Sequence, residues 1–423
     1  MEVPGSYRPR LVDDAVASAL RGAGAVVLEG PKWCGKTWTG MAHANSAVWV
    51  ADPSGNYMTR RIAQSDPFSL LEGERPVLVD EWQDAPGLWD AVRMAVDRHP
   101  GPGQFLLTGS ATPRDDAVSH SGTGRITRLR MWPMTLAESG VSSVEVSLSG
   151  LLDGRVPTGR SHWSEEDLIE AILRGGWPGT LDLPTADAMR QPIGYLESVA
   201  YSDASRIDGV RRDPSRLEAL LASLSRTTAT LVSGATLARD MASSGETVAT
   251  KTVATYLDVL RRLHVLVEIP AWAPALRSPV RLRSSPKRIL CDPSLAAAGL
   301  HATQATLAAD RKTMGLLFEA LCLRDLSVYA QGLPGRVFHY HDESELEADA
   351  IVQADDGRWM AVEIKLGAEQ EDAAAKSLLA LDEKMTRAGE RSASALVVIV
   401  GLDSFAHRRD DGVIVVPADT LGL

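Results

Sequence analysis

The sequence Gly30-Pro31-Lys32-Trp33-Cys34-Gly35-Lys36-Thr37 follows directly after an apolar run at residues 25–29 and precedes residues that are compatible with a helix. It has the spacing G-x-x-x-x-G-K-[ST], in which glycines allow the tight bend that points successive backbone N–H groups at phosphate oxygens. Lys36 is expected to reach the β- and γ-phosphates of a nucleotide, and the Thr37 hydroxyl is expected to bind Mg²⁺. A strand followed by this loop predicts a nucleotide-binding α/β domain. The residues expected to contact the nucleotide are Gly30, Pro31, Lys32, Trp33, Cys34, Gly35, Lys36, Thr37 and Trp38.

Two acidic residues, Asp80 and Glu81, end a second apolar run that begins at Val77. Asp80 is expected to hold Mg²⁺ through water, and Glu81 is expected to polarise an attacking water molecule. This pair favours hydrolysis of the nucleotide over passive storage. The alternative is a turn at the end of a strand that carries two solvated acids.

Two further residues are candidates for the same reaction. Thr108 ends another apolar run, where its hydroxyl is suited to hydrogen-bond the attacking water or the γ-phosphate. Arg125 follows a stretch rich in Gly, Ser and Asp, residues 115–124, which is predicted to be a mobile loop. An arginine there is suited to stabilise transition-state charge, in cis or from a neighbouring subunit. An exposed surface arginine without a role in catalysis is the alternative.

The composition is that of an ordinary folded protein. The chain has 423 residues, of which 44% are hydrophobic and 23% charged, enough for two or three domains and too apolar for a disordered chain. No apolar run approaches the ~20 residues of a membrane-spanning helix, and no secretory signal is recognisable, so we expect a cytoplasmic protein without a membrane partner. Three widely spaced cysteines form neither a disulfide framework nor a zinc site. The net charge of -11 argues against non-specific coating of nucleic acid.

The order of apolar and helical patterns divides the chain into an α/β part, a helical part and a second part that mixes helices and strands. Between residues 22 and 138, short apolar runs alternate with helical patterns, as in a parallel sheet covered by helices. From about residue 214, three helical patterns and a β-rich segment at 265–269 follow each other in the order of a winged helix-turn-helix. The expected segments are a nucleotide-binding domain at 1–140, a helical connector at 141–213, a winged helix at 214–285 and an α/β domain at 286–423.

These motifs occur in the same order in a known family. With Leu107-Thr108-Gly109-Ser110, Gly124-Arg125 and residues 134–138 added, the chain resembles the prokaryotic AAA-type ATPases that carry a C-terminal domain of unknown function, DUF4143. Later stretches resemble landmarks of this DUF4143 domain: Gly175-Gly176-Trp177-Pro178, residues 286–292, residues 315–319, and Glu347-Ala348-Asp349 followed by Val362-Glu363-Ile364-Lys365. The chain departs from the family at Trp33, Cys34 and Trp82, but no group that the chemistry requires is missing.

The resemblance implies an ATPase of the oligomer-capable AAA type, with ATP and Mg²⁺ as ligands and a homo-oligomer as the expected assembly. It also implies that the C-terminal fold is similar to PD-(D/E)xK nucleases. The expected fold class is therefore α/β: a P-loop NTPase domain with a parallel sheet, then a helical winged-helix segment, then an α/β nuclease-like domain. The resemblance names neither a substrate nor a pathway, and it leaves the choice between ATP and GTP open.

Charged residues in the last third of the chain fit a divalent-metal site. Asp349 and Glu363-Ile364-Lys365 lie on successive strand candidates joined by a turn, and the strand period of two puts Glu363 and Lys365 on one face. The carboxylates would hold Mg²⁺, which activates water, Lys365 would steady negative charge, and Glu319 is a further candidate ligand. Two functions follow: an ATP-controlled DNA nuclease, or a nuclease-like fold that only binds DNA or a protein. A hairpin whose acids and lysine pair on a solvated face is the alternative.

A basic strip follows the winged-helix pattern and makes DNA a candidate partner. Its members are Arg277, Arg281, Arg283, Lys287 and Arg288. The predicted recognition helix adds Lys251, Arg261 and Arg262, and such residues bind DNA through its phosphates. Winged helices bind proteins almost as often, so both kinds of partner stay open for coupling to ATP turnover. A nucleotide-dependent binding or regulatory module with little turnover is a further alternative.

Overall fold

The computed structural model describes residues 7–113, 120–242, 247–274 and 285–423. Its helices are α1 (Val12–Gly22), α2 (Lys36–His43), α3 (Ser54–Ser65), α4 (Gly87–Arg98), α5 (Leu148–Leu152), α6 (Glu165–Arg174), α7 (Thr185–Ala188), α8 (Arg190–Ser198), α9 (Ala204–Arg206), α10 (Pro214–Arg226), α11 (Gly234–Asp240), α12 (Thr250–Arg262), α13 (Pro293–Gly299), α14 (Gln304–Ala309), α15 (Arg311–Gly332) and α16 (Glu371–Arg387).

Its strands are β1 (Ala25–Glu29), β2 (Ser46–Trp49), β3 (Val77–Asp80), β4 (Phe105–Gly109), β5 (Ile126–Arg130), β6 (Val146–Ser147), β7 (Gly159–Arg160), β8 (Leu266–Ile269), β9 (Lys287–Leu290), β10 (Gly335–His341), β11 (Glu347–Ala354), β12 (Trp359–Gly367), β13 (Ala395–Leu402), β14 (Phe405–Arg408), β15 (Ile414–Pro417) and β16 (Leu421–Gly422). Within the described ranges, no helix has the length and apolar content that crossing a membrane requires. Residues 115–119 of the predicted loop, and Arg277, Arg281 and Arg283 of the basic strip, lie outside the described residues.

The chain divides into two compact units. The first comprises Met1–Pro133, Tyr201–Arg212 and Leu257–Val265, and the second comprises Met134–Ala200, Asp213–Tyr256 and Leu266–Leu423. The boundaries that the sequence suggested at 140, 213 and 285 stay predictions.

The first unit is built on a five-stranded parallel sheet with the strand order β2-β3-β4-β1-β5. Alternate residues of each central strand enter two separate apolar clusters: Val27 and Leu107 pack on the side of helix α4, whereas Leu28 and Leu106 pack on the side of helix α1. Because both faces are covered, the strands need continuous apolar runs rather than alternating ones. This is why the sequence predicted these strands to within a residue or two.

The second unit contains the helical middle of the chain and a mixed sheet. The three predicted helices form as α10, α11 and α12, of which α12 belongs to this unit only as far as Tyr256. Strand β8 pairs antiparallel with β9. The mixed sheet has seven strands in the order β10-β11-β12-β13-β15-β14-β7. Helix α16 covers one of its faces and buries Leu378 and Leu381 against residues such as Val398 and Val415.

A buried ionic network holds distant segments of the second unit together. The Arg324 guanidinium, whose side chain is 2% exposed, donates to Asp292 Oδ2 at 2.8 Å and to Asp325 Oδ1 at 2.7 Å. Asp325 also accepts from the backbone N–H of Leu136, and Asp292 accepts from that of Gly176. Burial alone would lower the pKa of Arg324, but the two carboxylates raise it above its usual range.

A glycine is required beside this network. A β-carbon on Gly176 would lie 2.0 Å from the carbonyl oxygen of Met134, closer than any side chain can approach. The same backbone position donates to Asp292 at 3.0 Å, so a substitution there would displace a buried hydrogen bond. Gly176, in the family landmark Gly175–Pro178, therefore has a structural role.

We expect Arg324→Met to destabilise the second unit by about 3–5 kcal/mol, because it leaves two buried carboxylates without their cation. The matched control is Arg311→Met, on the same helix, whose ion pair with Glu165 is largely exposed and contributes less than about 1 kcal/mol. Urea unfolding followed by far-UV circular dichroism would measure both. Equal losses in the two variants would contradict the prediction.

Candidate nucleotide-binding site

The predicted phosphate loop lies between β1 and α2 and has two residues in the left-handed backbone region. Gly35 has φ 103° and Trp33 has φ 64°, a conformation that glycine adopts freely but that costs a tryptophan about 1 kcal/mol. A loop bent in this way ahead of a helix directs backbone N–H groups at an anion. Trp33 and Trp38 are 55% and 40% exposed, so neither side chain belongs to the core.

The Lys36 ammonium is held inside the loop. The residue is only 5% exposed, and its Nζ donates to the carbonyl oxygen of Pro31 at 2.7 Å. The sulfur of Cys34 lies 4.0 Å from the same atom. A bound phosphate would offer this lysine charged acceptors, which form stronger hydrogen bonds than a carbonyl or a thiol.

The parallel register brings the predicted Mg²⁺ ligands to one edge of the sheet. Asp80 pairs with Thr108 across β3 and β4, and Thr108 pairs with Leu28 across β4 and β1. Asp80 Oδ1 accepts hydrogen bonds from the Thr37 hydroxyl at 2.9 Å and the Thr108 hydroxyl at 2.6 Å. Burial raises the pKa of Asp80. A hydroxyl and a carboxylate this close are oxygen donors of the kind that Mg²⁺ prefers, so these residues fit the ion.

Glu81 is engaged by two side chains that the sequence did not single out as partners. Its backbone is left-handed at φ 56°, and its carboxylate accepts from the Ser110 hydroxyl at 2.9 Å and from the Gln83 amide. Its own N–H donates to Thr108 Oγ1 at 3.4 Å. The carboxylate of the candidate general base is therefore already hydrogen-bonded at the edge of the sheet.

Two other contacts support the loop from distant parts of the chain. Arg10 donates to the carbonyl oxygens of Cys34 and Trp132 at 2.7 and 2.8 Å, which fixes the loop against the end of β5. Lys32 pairs with Asp203 at 2.6 Å. Neither partner follows from a local pattern, because each lies far from the loop in the sequence.

The surroundings of His264 are positively charged and include Lys36 of the loop. Burial, and then the nearby cations Arg130, Lys36 and Arg128, lower the pKa of His264 to about 3. His264 is therefore neutral at physiological pH, and its Nε2 lies 3.4 Å from the Thr112 hydroxyl.

The structure does not bring Arg125 to this site. Its carbonyl oxygen accepts from the N–H of Ala25, at the start of β1, whereas the phosphate loop follows the end of β1. Five strand residues separate the two edges of the sheet by roughly 13 Å. The Arg125 guanidinium instead pairs with Asp97 at 2.9 Å. This geometry does not support action in cis, and action on a neighbouring copy stays a prediction.

The predicted second site does converge, with an additional member. Lys365 Nζ lies 3.0 Å from Asp349 Oδ2 and 2.5 Å from Glu363 Oε2, and Lys287 Nζ lies 2.6 Å from Glu319 Oε1. Burial, and then the charge of Asp349, raise the pKa of Glu363 to about 8 and that of Glu319 to about 7. Across the described ranges, no group of three or more His, Cys, Asp or Glu side chains is arranged to hold a metal ion.

Several members of the predicted DNA-binding surface are directed at protein groups instead. Lys287 is 8% exposed and contacts the carboxylates just described. Arg288 donates to Glu268 and to the carbonyl oxygen of Val232. Arg262 donates to the carbonyl oxygen of Thr112 at 3.0 Å. Burial of Lys287 and the protein contacts of Arg288 and Arg262 do not support a phosphate-contacting surface made of these three residues, because a run of basic residues does not reveal which of them point inward. DNA binding stays a prediction.

Three protein-family models match consecutive parts of the chain. An AAA domain matches residues 23–140, a domain of unknown function, DUF8612, matches 165–306, and DUF4143 matches 314–421. Two landmarks that the sequence analysis assigned to DUF4143, Gly175–Pro178 and residues 286–292, thus lie in the DUF8612 segment.

Similar proteins include the uncharacterized proteins Mb2031c of Mycobacterium bovis and Rv2008c of Mycobacterium tuberculosis, each 28% identical over 82% of this chain and 71% of its own length. Similar solved structures include the Walker-type ATPase paby2304 of Pyrococcus abyssi, with a TM-score of 0.42 and 13% identity over 68% of this chain and 94% of that one. A mutant of Thermotoga maritima RuvB has a TM-score of 0.27 and 16% identity over 62% and 94%. Neither solved structure is similar enough to this chain to support a conclusion beyond what the sheet topology already shows.

The family models and the five-stranded parallel sheet agree with the motif at residues 30–37. The chain carries an AAA-type P-loop ATPase domain at its N-terminal end, followed by a DUF8612 domain and a DUF4143 domain.

Proposed function

We propose that the AAA domain binds ATP with Mg²⁺ and hydrolyses it, and that the following domains couple turnover to a partner. The observation that carries the proposal is the position of Asp80. Its carboxylate accepts from Thr37, which follows Lys36 of the phosphate loop, and from Thr108 on the adjacent strand. Groups for binding phosphate, binding Mg²⁺ and activating water thus occupy neighbouring positions at one sheet edge.

Each residue of this edge has a proposed role. The backbone of residues 30–35 and the Lys36 ammonium bind phosphate oxygens, and Thr37 and Asp80 hold Mg²⁺, which neutralises charge on the phosphates. Glu81 accepts a proton from the attacking water once Ser110 and Gln83 release its carboxylate. Thr108 positions the Asp80 carboxylate through the 2.6 Å hydrogen bond.

The engagement of Glu81 favours one alternative function. A carboxylate that accepts from Ser110 and Gln83 at rest must lose at least one of these donors before it can accept a proton from water. In that alternative, the domain is a nucleotide-dependent binding module that turns over little unless a partner frees Glu81.

The partner is proposed to be a protein or DNA bound through the winged-helix and C-terminal domains. Support for DNA is reduced, because Lys287, Arg288 and Arg262 are engaged within the protein. Among the basic residues that the structure describes, Lys251 on α12 is exposed and is available to a DNA-binding surface. A third candidate, an ATP-controlled nuclease using Asp349, Glu363 and Lys365, has less support because the Lys287 ammonium also contacts the Asp349 carboxylate.

We expect Lys36→Ala and Glu81→Gln each to lower phosphate release at least tenfold, because the first removes a phosphate-binding cation and the second removes the base. Phosphate release and ATP binding would be measured separately on each variant. Glu81→Gln should still bind ATP, whereas Lys36→Ala should bind it weakly.

Arg61→Ala is the control, because it removes an exposed cation of helix α3 whose side chain donates to the carbonyl oxygen of Gly55, and it should leave ATP binding and phosphate release unchanged. Equal rates in wild type and both variants would contradict hydrolysis at this site. Tight ATP binding by wild type without phosphate release would instead support the binding module.

We also propose that the chain self-associates when ATP is bound, with Arg125 of one copy serving the site of the next. The Arg125 side chain is 46% exposed and lies next to the edge strand β5. Light scattering with and without a slowly hydrolysed ATP analogue should show a larger particle with the analogue, and Arg125→Ala should lower ATP hydrolysis about tenfold or more.

The control is Arg93→Ala, since Arg93 pairs with the same Asp97 and should leave hydrolysis unchanged. A monomer under both conditions would contradict this arrangement.

A further inference from the structure

Five charged residues of the second unit form what we call the lysine–carboxylate cluster: Lys287, Glu319, Asp349, Glu363 and Lys365. They come from β9, α15, β11 and β12. The side chains of the three acids are between 4% and 13% exposed. Three buried acids where the sequence predicted a divalent-metal site raise the question of which cation neutralises them.

Lys365 neutralises one side of the cluster. Its ammonium lies 3.0 Å from Asp349 Oδ2 and 2.5 Å from Glu363 Oε2, so it bridges the two neighbouring strands. The same Asp349 oxygen accepts from the backbone N–H of Ile364 at 2.8 Å. These contacts leave Asp349 Oδ2 with two donors already.

Lys287 neutralises the other side. Its ammonium lies 2.6 Å from Glu319 Oε1, 3.5 Å from Asp349 Oδ1 and 3.2 Å from the carbonyl oxygen of Asp349. Three oxygens of two residues thus surround one buried nitrogen. These are the kinds of oxygen that a divalent cation would use, and a lysine nitrogen contacts all of them.

A divalent ion does not fit this arrangement without removing a lysine. Mg²⁺ needs oxygens at about 2.1 Å in an octahedral shell, and ammonium groups already contact both Asp349 oxygens and one oxygen each of Glu319 and Glu363. The three carboxylates and two ammonium groups carry a net charge of one negative unit, which a single proton cancels. Glu363 Oε1, the one oxygen of these side chains that is buried without a hydrogen-bond partner in the described structure, offers a place for that proton.

We propose that the Lys287 ammonium stands in the place of a metal ion, and that the cluster is a structural centre which neither binds divalent metal nor cleaves phosphodiesters. By this account Lys287 anchors β9 to helix α15 and strand β11, and the C-terminal domain serves as an interaction module. The proposal is independent of ATP hydrolysis, which uses residues of the other unit.

Binding of Mn²⁺ to the nucleotide-free full chain, followed by the electron paramagnetic resonance of free Mn²⁺, tests the proposal. Wild type and the control Arg288→Met, whose residue is next to Lys287 but pairs with Glu268, should bind equally weakly. Lys287→Met should gain one site with at least tenfold tighter affinity, and adding Glu319→Gln, which removes a carboxylate that Lys287 contacts, should remove it. A folded Lys287→Met protein that gains no site would overturn the proposal.

A second measurement needs only wild type and Glu363→Gln, in case Lys287→Met does not fold. The melting temperature of wild type should respond to MnCl₂ no more than that of Glu363→Gln. A rise in melting temperature that Glu363→Gln removes would overturn the proposal.

Plasmid DNA incubated with wild type, ATP and MgCl₂ should stay intact. Cleavage that Lys365→Ala abolishes would also overturn the proposal.

Discussion

The parallel pairing of β3 with β4 and of β4 with β1 is the constraint on which the ATPase domain depends. Parallel strands end at the same edge of a sheet, so residues that are far apart in sequence meet there without a special contact to bring them. Asp80 and Thr108 are partners in this register, and the phosphate loop leaves β1 next to them. The two apolar clusters keep the strands in place, so the geometry of the edge is fixed by packing that lies away from it.

The nucleotide-binding edge and the ion pairs of the second unit use buried charge in different ways. At the nucleotide-binding edge, Lys36 and Asp80 have neutral partners, a carbonyl oxygen and two hydroxyls, which a charged ligand can replace. In the second unit, Arg324, Lys287 and Lys365 face carboxylates directly. An ion pair already satisfied in a low-dielectric interior has little to gain from a ligand, whereas an ion with neutral partners has much to gain.

The sequence predicted the features that depend on local pattern. The phosphate loop, the two acids after β3 and the strands with continuous apolar runs all follow from residues that are adjacent in the chain. The partners of Lys32 and Glu81 were not predicted, because Asp203 is distant in sequence and the Ser110 contact depends on the register of β3 and β4. Lys287 was assigned to the surface, although it is the first residue of a strand whose partner could not be known from sequence. The position of Arg125 could have been predicted from the sequence. Arg125 precedes β5, and parallel strands begin at one edge of a sheet and end at the other. Arg125 therefore lies at the edge opposite the phosphate loop, which follows the end of β1.

The pairing of β6 with β16 has a consequence for how the protein is made. It joins Val146 to Leu421, and the Ser142 hydroxyl donates to the Leu421 carbonyl oxygen. On a ribosome that adds about 5–20 residues per second, β6 emerges ten seconds or more before its partner. The ATPase sheet needs no strand beyond β5 and can form during that interval. The early part of the second unit must meanwhile wait with apolar surface exposed, which makes it the part of the nascent chain most dependent on protection from aggregation.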